Sequence, residues 1–176
     1  EAESKLGEGS KFTVTLEYRI ADKSYYEQDT EKSIDMDETD RISGKHILLA
    51  EDNDLNAEIA EFILEDMGLM VDRVEDGVQC VSRIEQKPAG TYDLILMDIQ
   101  MPNMDGYKAT EVIRGLSDKS KANIPIIAMT ANAFQEDAEK CIAVGMNAHL
   151  AKTLDIEKVE QTICKQVRDA KMKNRI

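Results

Sequence analysis

Tyr92-Asp93-Leu94-Ile95-Leu96-Met97-Asp98-Ile99-Gln100-Met101-Pro102-Asn103-Met104-Asp105-Gly106 is the stretch on which the reading of this chain turns. The apolar run from Leu94 to Met97 ends in the carboxylate of Asp98, and a loop bearing Pro102 and Gly106 follows at once. A run of this kind, bounded by turn residues, reads as a buried strand that delivers an acid to its C-terminal tip. Taken alone, a strand-end Asp is more often a turn residue or a helix cap. The other strand ends shift that balance.

Working outward from this stretch, strand candidates at 47–50, 70–74, 94–97, 124–129 and 148–151 alternate with amphipathic helical patterns. Ile59, Phe62, Ile63 and Met67 recur at helical spacing, Ile142 and Val144 are closed by Gly145, and a last helix from 156 to about 171 turns Ile156, Val159, Ile163 and Val167 inward. Gly68 and Gly145 stand where helix C-caps need a left-handed residue. Repeated βα units imply an α/β protein, a doubly wound, mostly parallel sheet with helices on both faces.

In such a sheet ligands gather beyond the carboxyl ends of the strands, which makes the residues there informative. The first strand runs into Glu51-Asp52-Asn53, the third into Asp98, the fourth into Thr130-Ala131 and the fifth into Lys152-Thr153. Each has a plain structural use: Asp52 or Asp54 as the cap of the helix starting near Leu55, Thr130 as another cap, Lys152 as a surface charge. Together they place three acids, a hydroxyl and an ammonium on one edge. Clustered carboxylates repel unless a cation neutralises them. Mg²⁺ suits Asp52, Asp98 and a loop carbonyl, with Glu51 acting through water, and Mn²⁺ accepts the same oxygen set. An in-line carboxylate, a metal, a cation and a hydroxyl donor also suit phosphoryl transfer, with Asp98 as the candidate nucleophile.

On these motifs, residues 45 to about 168 resemble the receiver domain of two-component response regulators. The resemblance implies a flavodoxin-like (βα)5 sheet of strand order 2-1-3-4-5. Carried over residue by residue, it implies that Asp98 takes a phosphoryl group from a phosphohistidine. Asp52, Asp98 and the Gln100 carbonyl would hold the metal with Glu51 in its outer shell, and Thr130 and Lys152 would contact the phosphoryl oxygens. Autophosphatase activity would come with the same site. Two positions depart from the family pattern. Thr153 follows the lysine where proline is usual; a cis bond there would cost about 2.5–4 kcal/mol, so a trans Lys152–Thr153 peptide is expected. His149 takes the place of the common Tyr or Phe switch coupled to Thr130, and its imidazole serves either as a titratable switch or as a strand-end side chain with no such role. His46 opens the first strand at the opposite edge and is assigned no chemistry.

Ahead of this domain, 12–20 alternate apolar and polar residues behind a Gly7-Glu8-Gly9-Ser10 turn and read as a strand with no sheet partner before residue 44. Together with Ser4 to Lys11, this segment resembles the last turn and strand of the ATP-binding domain of sensor histidine kinases. Residues 22–41 hold eight Asp or Glu against three Lys or Arg and read as an acidic tether. The expected organisation is therefore a kinase-domain strand fragment at 1–21, a linker at 22–43, a receiver domain at 44–171 and a tail at 172–176. It implies a hybrid histidine kinase as parent, a histidine kinase domain as phosphodonor and a histidine phosphotransfer protein as the next carrier. The partner surface is expected around the helix near Lys152 and the loop after Thr130, and the orphan strand is expected to pair between chains as a homodimer contact.

Bulk composition agrees. A net charge of −13 over 176 residues gives no Lys and Arg excess for a nucleic-acid surface. Cys80, Cys141 and Cys164 lack metal-ligand spacing and read as reduced thiols. No apolar run approaches a membrane span, so the fragment is expected to be cytoplasmic with no membrane contact of its own, whatever anchors its parent. The competing function is a docking or dimerisation module whose acidic site is vestigial, and a hydrolase working through an aspartyl phosphate ranks below both.

Overall fold

The computed structural model describes residues 2–5, 9–12, 42–130 and 135–173. The chain divides into two units, 1–34 and 35–176. In the first, β1 (Ala2–Lys5) and β2 (Gly9–Phe12) pair antiparallel, with Glu3 opposite Lys11 and Ser4 opposite Ser10. Gly9 and Ser10, expected in the turn ahead of a strand, are themselves strand and find a partner in Ala2–Lys5. Pairing runs through backbone amides, so the polar Ala2-Glu3-Ser4-Lys5 needs no apolar alternation to supply an edge. Of the expected 12–20 strand only Phe12 falls within the described residues.

In the second unit the elements alternate: β3 (His46–Ala50), α1 (Asp54–Asp66), β4 (Met70–Val74), α2 (Gly77–Gln86), β5 (Leu94–Asp98), α3 (Gly106–Arg114), the single turn α4 (Lys119–Ala122), β6 (Ile126–Thr130), α5 (Gln135–Ala143), β7 (Ala148–Ala151) and α6 (Ile156–Lys173). The five strands are all parallel in the order β4-β3-β5-β6-β7, which is 2-1-3-4-5 counted along this unit. The central strands β5 and β6 are buried at every residue and therefore read as unbroken apolar runs, whereas edge strand β4 is buried only at Val74.

Alternate residues of each strand serve two cores. On one face Ile47, Leu49, Leu96 and Met129 pack with Ala57, Ala60 and Leu64 of α1 and Val159, Ile163 and Val167 of α6. On the other, Leu48, Ile95, Met97 and Ala128 pack with Cys80 and Ile84 of α2, Ile113 of α3 and Cys141 of α5. Ile42, just ahead of β3, belongs to the first core and is 1% exposed.

The helix faces differ from the expected ones in an instructive way. Ile59 and Phe62 are 48% and 71% exposed, while the small Ala57 and Ala60 meet the sheet. Alanines at the contact let the helix axis approach the strands closely, and the bulky residues one stripe round are left outside. Ile142 is likewise exposed, with Cys141 buried beside it, and on α6 Val159, Ile163 and Val167 are buried as expected while Ile156 at its first turn is exposed. Gly68 and Gly145 do adopt the left-handed φ that ends their helices, 76° and 100°.

The end of the sheet away from the strand tips is tied by Arg114. Its guanidinium donates to the carbonyls of Gly145, Ala122 and Ile124 at 2.8, 2.6 and 2.8 Å and to Asn147 Oδ1 at 2.9 Å. Burial without a carboxylate partner pulls its pKa down to about 10. All three cysteines are free thiols, and burial pushes the Cys80 thiol up to about 12, which keeps it inert.

Candidate functional site

Because the strands are parallel, everything that follows their last residues leaves the sheet on one edge. Glu51 and Asp52 follow β3, Asp98 is the last residue of β5, Thr130 the last of β6, and Lys152 follows β7. The structure brings the acids together as expected: one carboxylate oxygen each from Glu51, Asp52 and Asp98 lie within 4.8 Å of one another. Glu51 and Asp98 are 1% exposed, whereas Asp52 faces solvent. Lys152 Nζ donates to Asp98 Oδ2 at 2.7 Å and lies 3.0 Å from Glu51 Oε2. The Lys152 N–H donates to the Thr130 carbonyl at 2.8 Å, so the last rung between β6 and β7 ties the buried hydroxyl residue to the lysine.

One ammonium thus faces three carboxylates, two of them desolvated. Burial pushes the Asp98 carboxyl above its ordinary value; Lys152 and the Gln100 N–H pull against this, and Glu51 adds to it. Burial alone would lower the Lys152 ammonium, but its hydrogen bonds to Asp98 and Glu51 carry it upward instead. The site is short of positive charge, and its donors are all oxygens. That set fits a hard divalent cation and offers nothing to a soft one.

Several groups that hold this corner carry no signal in a linear reading. Asn53, not Asp52 or Asp54, caps α1, its side chain accepting from the Asn56 N–H at 3.0 Å. Asn56 Nδ2 in turn donates to Glu51 Oε1 at 3.2 Å, and the Asn53 N–H points at the same oxygen from 3.3 Å. Arg73 reaches over from β4, donating through Nε to the Glu51 carbonyl at 3.1 Å and pairing with Asp54 Oδ1 at 2.8 Å. The charged Asp72-Arg73 pair between apolar residues of β4 was the one visible hint. Glu51 and Asp98 pair with Lys152, and the arginine is left to backbone and Asp54.

The remaining expected positions are equally plain. Gln100 is exposed on the loop after Asp98, its N–H donating to Asp98 Oδ1 at 3.0 Å. His149 lies on β7 opposite Ala128 with its side chain exposed. The Lys152–Thr153 peptide is trans, there being no cis bond among the described residues. His46 sits at the far edge, its ring 4.8 Å from that of Tyr92 and its Nε2 3.4 Å from Asp72 Oδ1. No helix among the described residues is long and apolar enough to cross a membrane.

Residues 47–164 match the response regulator receiver domain family. The receiver domain of the Pseudomonas aeruginosa sensor histidine kinase PA1611, solved with a magnesium ion coordinated in its active-site cleft, is 40% identical to this chain with a TM-score of 0.63, over 71% of this chain and 98% of that one. The receiver domain of the Saccharomyces cerevisiae response regulator Ssk1, solved with the histidine phosphotransfer protein Ypd1, is 26% identical with a TM-score of 0.62, over 69% of this chain and 88% of that one. Histidine kinase 1 of Arabidopsis thaliana is 37% identical over 152 residues, 69% of this chain but only 13% of the relative's own length. With its sheet order, its clustered strand-end acids and these relatives, the chain belongs to the response regulator receiver domain family.

Proposed function

We propose that Asp98 accepts a phosphoryl group from a phosphohistidine, in a Mg²⁺-dependent reaction, and passes it to a histidine phosphotransfer protein. The carrying observation is the buried Asp98 carboxylate, bound by Lys152 Nζ at 2.7 Å on one oxygen and by the Gln100 N–H at 3.0 Å on the other, beside two more acids. In the transfer an Asp98 oxygen forms a bond to phosphorus as the P–N bond of the donor breaks, and the electron pair stays on the imidazole nitrogen. Lys152 moves its donor bond from Asp98 to a phosphoryl oxygen, and the Thr130 hydroxyl supplies a second. Asp52, Asp98 and the Gln100 carbonyl would hold Mg²⁺, with Glu51 reaching it through water. When bound, the ion neutralises phosphoryl charge as it develops. Intact-mass measurement after incubation with Mg²⁺ and a small phosphodonor such as acetyl phosphate tests this; a wild-type mass that stays unmodified removes it.

The partner surface follows from the exposed apolar stripe of α1. Leu55, Ile59 and Phe62 stand in solvent, and Ile59 lines a small pocket together with Lys152, Leu154 and Glu51, so the stripe runs up to the site. Ile156, 58% exposed, extends it onto α6, the helix expected near Lys152. The expected loop after Thr130 lies outside the described residues. A phosphotransfer helix carrying its histidine to Asp98 would bury this stripe. Phe62→Asp is expected to slow transfer to such a protein by roughly tenfold or more, as loss of a central apolar anchor does. Loading from acetyl phosphate and the melting temperature stay as in wild type. Equal transfer rates would move the docking surface elsewhere.

On the same reading, 1–21 is the terminal strand segment of a kinase ATP-binding domain and an acidic tether follows it, the receiver beginning by Ile42, which already lies in its core, and α6 running to Lys173 ahead of a short tail, with the parent a hybrid histidine kinase. Removed from that sheet, the first segment would act as a homodimer contact. Light scattering on a chain beginning at Arg41, which keeps the buried Ile42, is expected to give monomers where the full chain gives dimers. An unchanged oligomeric state clears the segment of that role.

A further inference from the structure

The loop from Ile99 to Asp105 carries the Gln100 backbone, which supplies both a donor to Asp98 and the carbonyl assigned above to the metal. Its two ends are tied to each other, the Gly106 N–H at the start of α3 donating to the Ile99 carbonyl at 3.0 Å. Between them it is fastened to a different element. Asn103 has a φ of 61°, the one positive value at a non-glycine among the described residues, and its Nδ2 donates to Asp76 Oδ2 at 2.8 Å. Asp76 is 6% exposed and simultaneously caps α2, its Oδ1 accepting from the Gln79 N–H at 2.7 Å. Beside it the Gly77 N–H donates to the Met104 carbonyl at 3.1 Å, an approach so close that a Cβ on Gly77 would stand 2.5 Å from that oxygen.

A left-handed asparagine persists only where its surroundings over-determine it. Here the surroundings are the buried Asp76 carboxylate on Asn103 and, next to it, the Gly77 N–H on the Met104 carbonyl. The cap of α2 needs only one oxygen of Asp76, and the second is committed to Asn103. Within the loop, Gln100, Met101, Pro102 and Asp105 share a pocket with Asp52, so the conformation of 99–105 determines what stands beside the exposed acid of the cluster.

We infer that Asp76 is a positioning residue for the metal-bearing loop: through Asn103 it locks residues 99–105 in the conformation that presents the Gln100 carbonyl beside Asp52 and Asp98. The inference rests on the Mg²⁺ site proposed above. It assigns α2, which contributes no ligand, a share in the geometry of that site. Outer partners that orient ligands commonly change metal affinity by about 10–100-fold when removed.

Calorimetric titration of Mg²⁺ into the full chain tests it through an exchange of groups. Asp76→Asn sets an amide against the Asn103 amide, and Asn103→Asp sets two carboxylates face to face. Each is expected to weaken Mg²⁺ binding roughly tenfold, the low end of the outer-partner range. The double variant Asp76→Asn with Asn103→Asp restores a donor and an acceptor with the polarity reversed and the net charge of wild type, and is expected to regain wild-type affinity. Asn103→Gly keeps both the left-handed backbone and the α2 cap, so weakened binding there cannot arise from a frayed helix. Singles that bind like wild type, or a double variant as weak as the singles, overturn the inference while the metal site stands. A wild-type chain that takes up no Mg²⁺ brings down the metal site, and the inference with it.

Discussion

Asp98→Ala is expected to leave a folded chain that gains no mass from acetyl phosphate and Mg²⁺, under conditions in which wild type gains one phosphoryl group. The loss should be complete. Glu51 is the only other buried acid in the cluster, and it is already held by Lys152 and by Asn56 Nδ2 at 3.2 Å, leaving no spare oxygen poised to substitute. Folding should survive, because the substitution removes one of two buried carboxylates that share a single ammonium, and burial already disfavours the charge on Asp98. A modified Asp98→Ala chain would show that another residue is the acceptor. Wild type and variant both remaining unmodified would instead favour a docking module with a vestigial site.

Gly106→Ala is the second large effect, and it acts on the fold and the site together. The alanine methyl would stand 2.2 Å from the Asp98 carbonyl oxygen and 2.9 Å from Met97 Cγ. Both neighbours lie in the most buried strand of the sheet, where backbone cannot give way cheaply. A cost on the order of 4 kcal/mol is expected, among the largest single-residue effects. Urea denaturation measures it; a change below about 1 kcal/mol would mean that the start of α3 shifts freely, against the packing described here. Gly106 needs no unusual backbone angle. Its constraint is room, since the loop must turn back at once onto the strand that carries the acceptor.

The central strands were legible because parallel strands covered on both faces are apolar runs, and the candidate site was legible because four strands end on one edge in residues that are each ordinary alone but combine into one charge cluster. The ends of Leu94–Asp98 and Ile126–Thr130 each lie one residue beyond the apolar run, the strand including its functional tip. The inner face of α6 was legible at Val159, Ile163 and Val167, whereas that of α1 was not. Apolar bulk marks a residue able to be buried, but contact with a sheet at close range selects small side chains, so Ala57 and Ala60 took the place that Ile59 and Phe62 promised. Contacts that cross the fold left no local trace either. Arg73 meets the Glu51 carbonyl across 22 residues and Asn103 meets Asp76 across 27. Nothing in the periodicity of either segment encodes its partner.

Helix α1 divides its duties between two faces. Since its alanines hold the helix to the sheet and its large side chains stand in solvent, the residues that anchor the helix and those that would meet another protein are separate sets on one element. On the docking face proposed above, changes at Leu55, Ile59 and Phe62 can therefore alter recognition with almost no toll on folding.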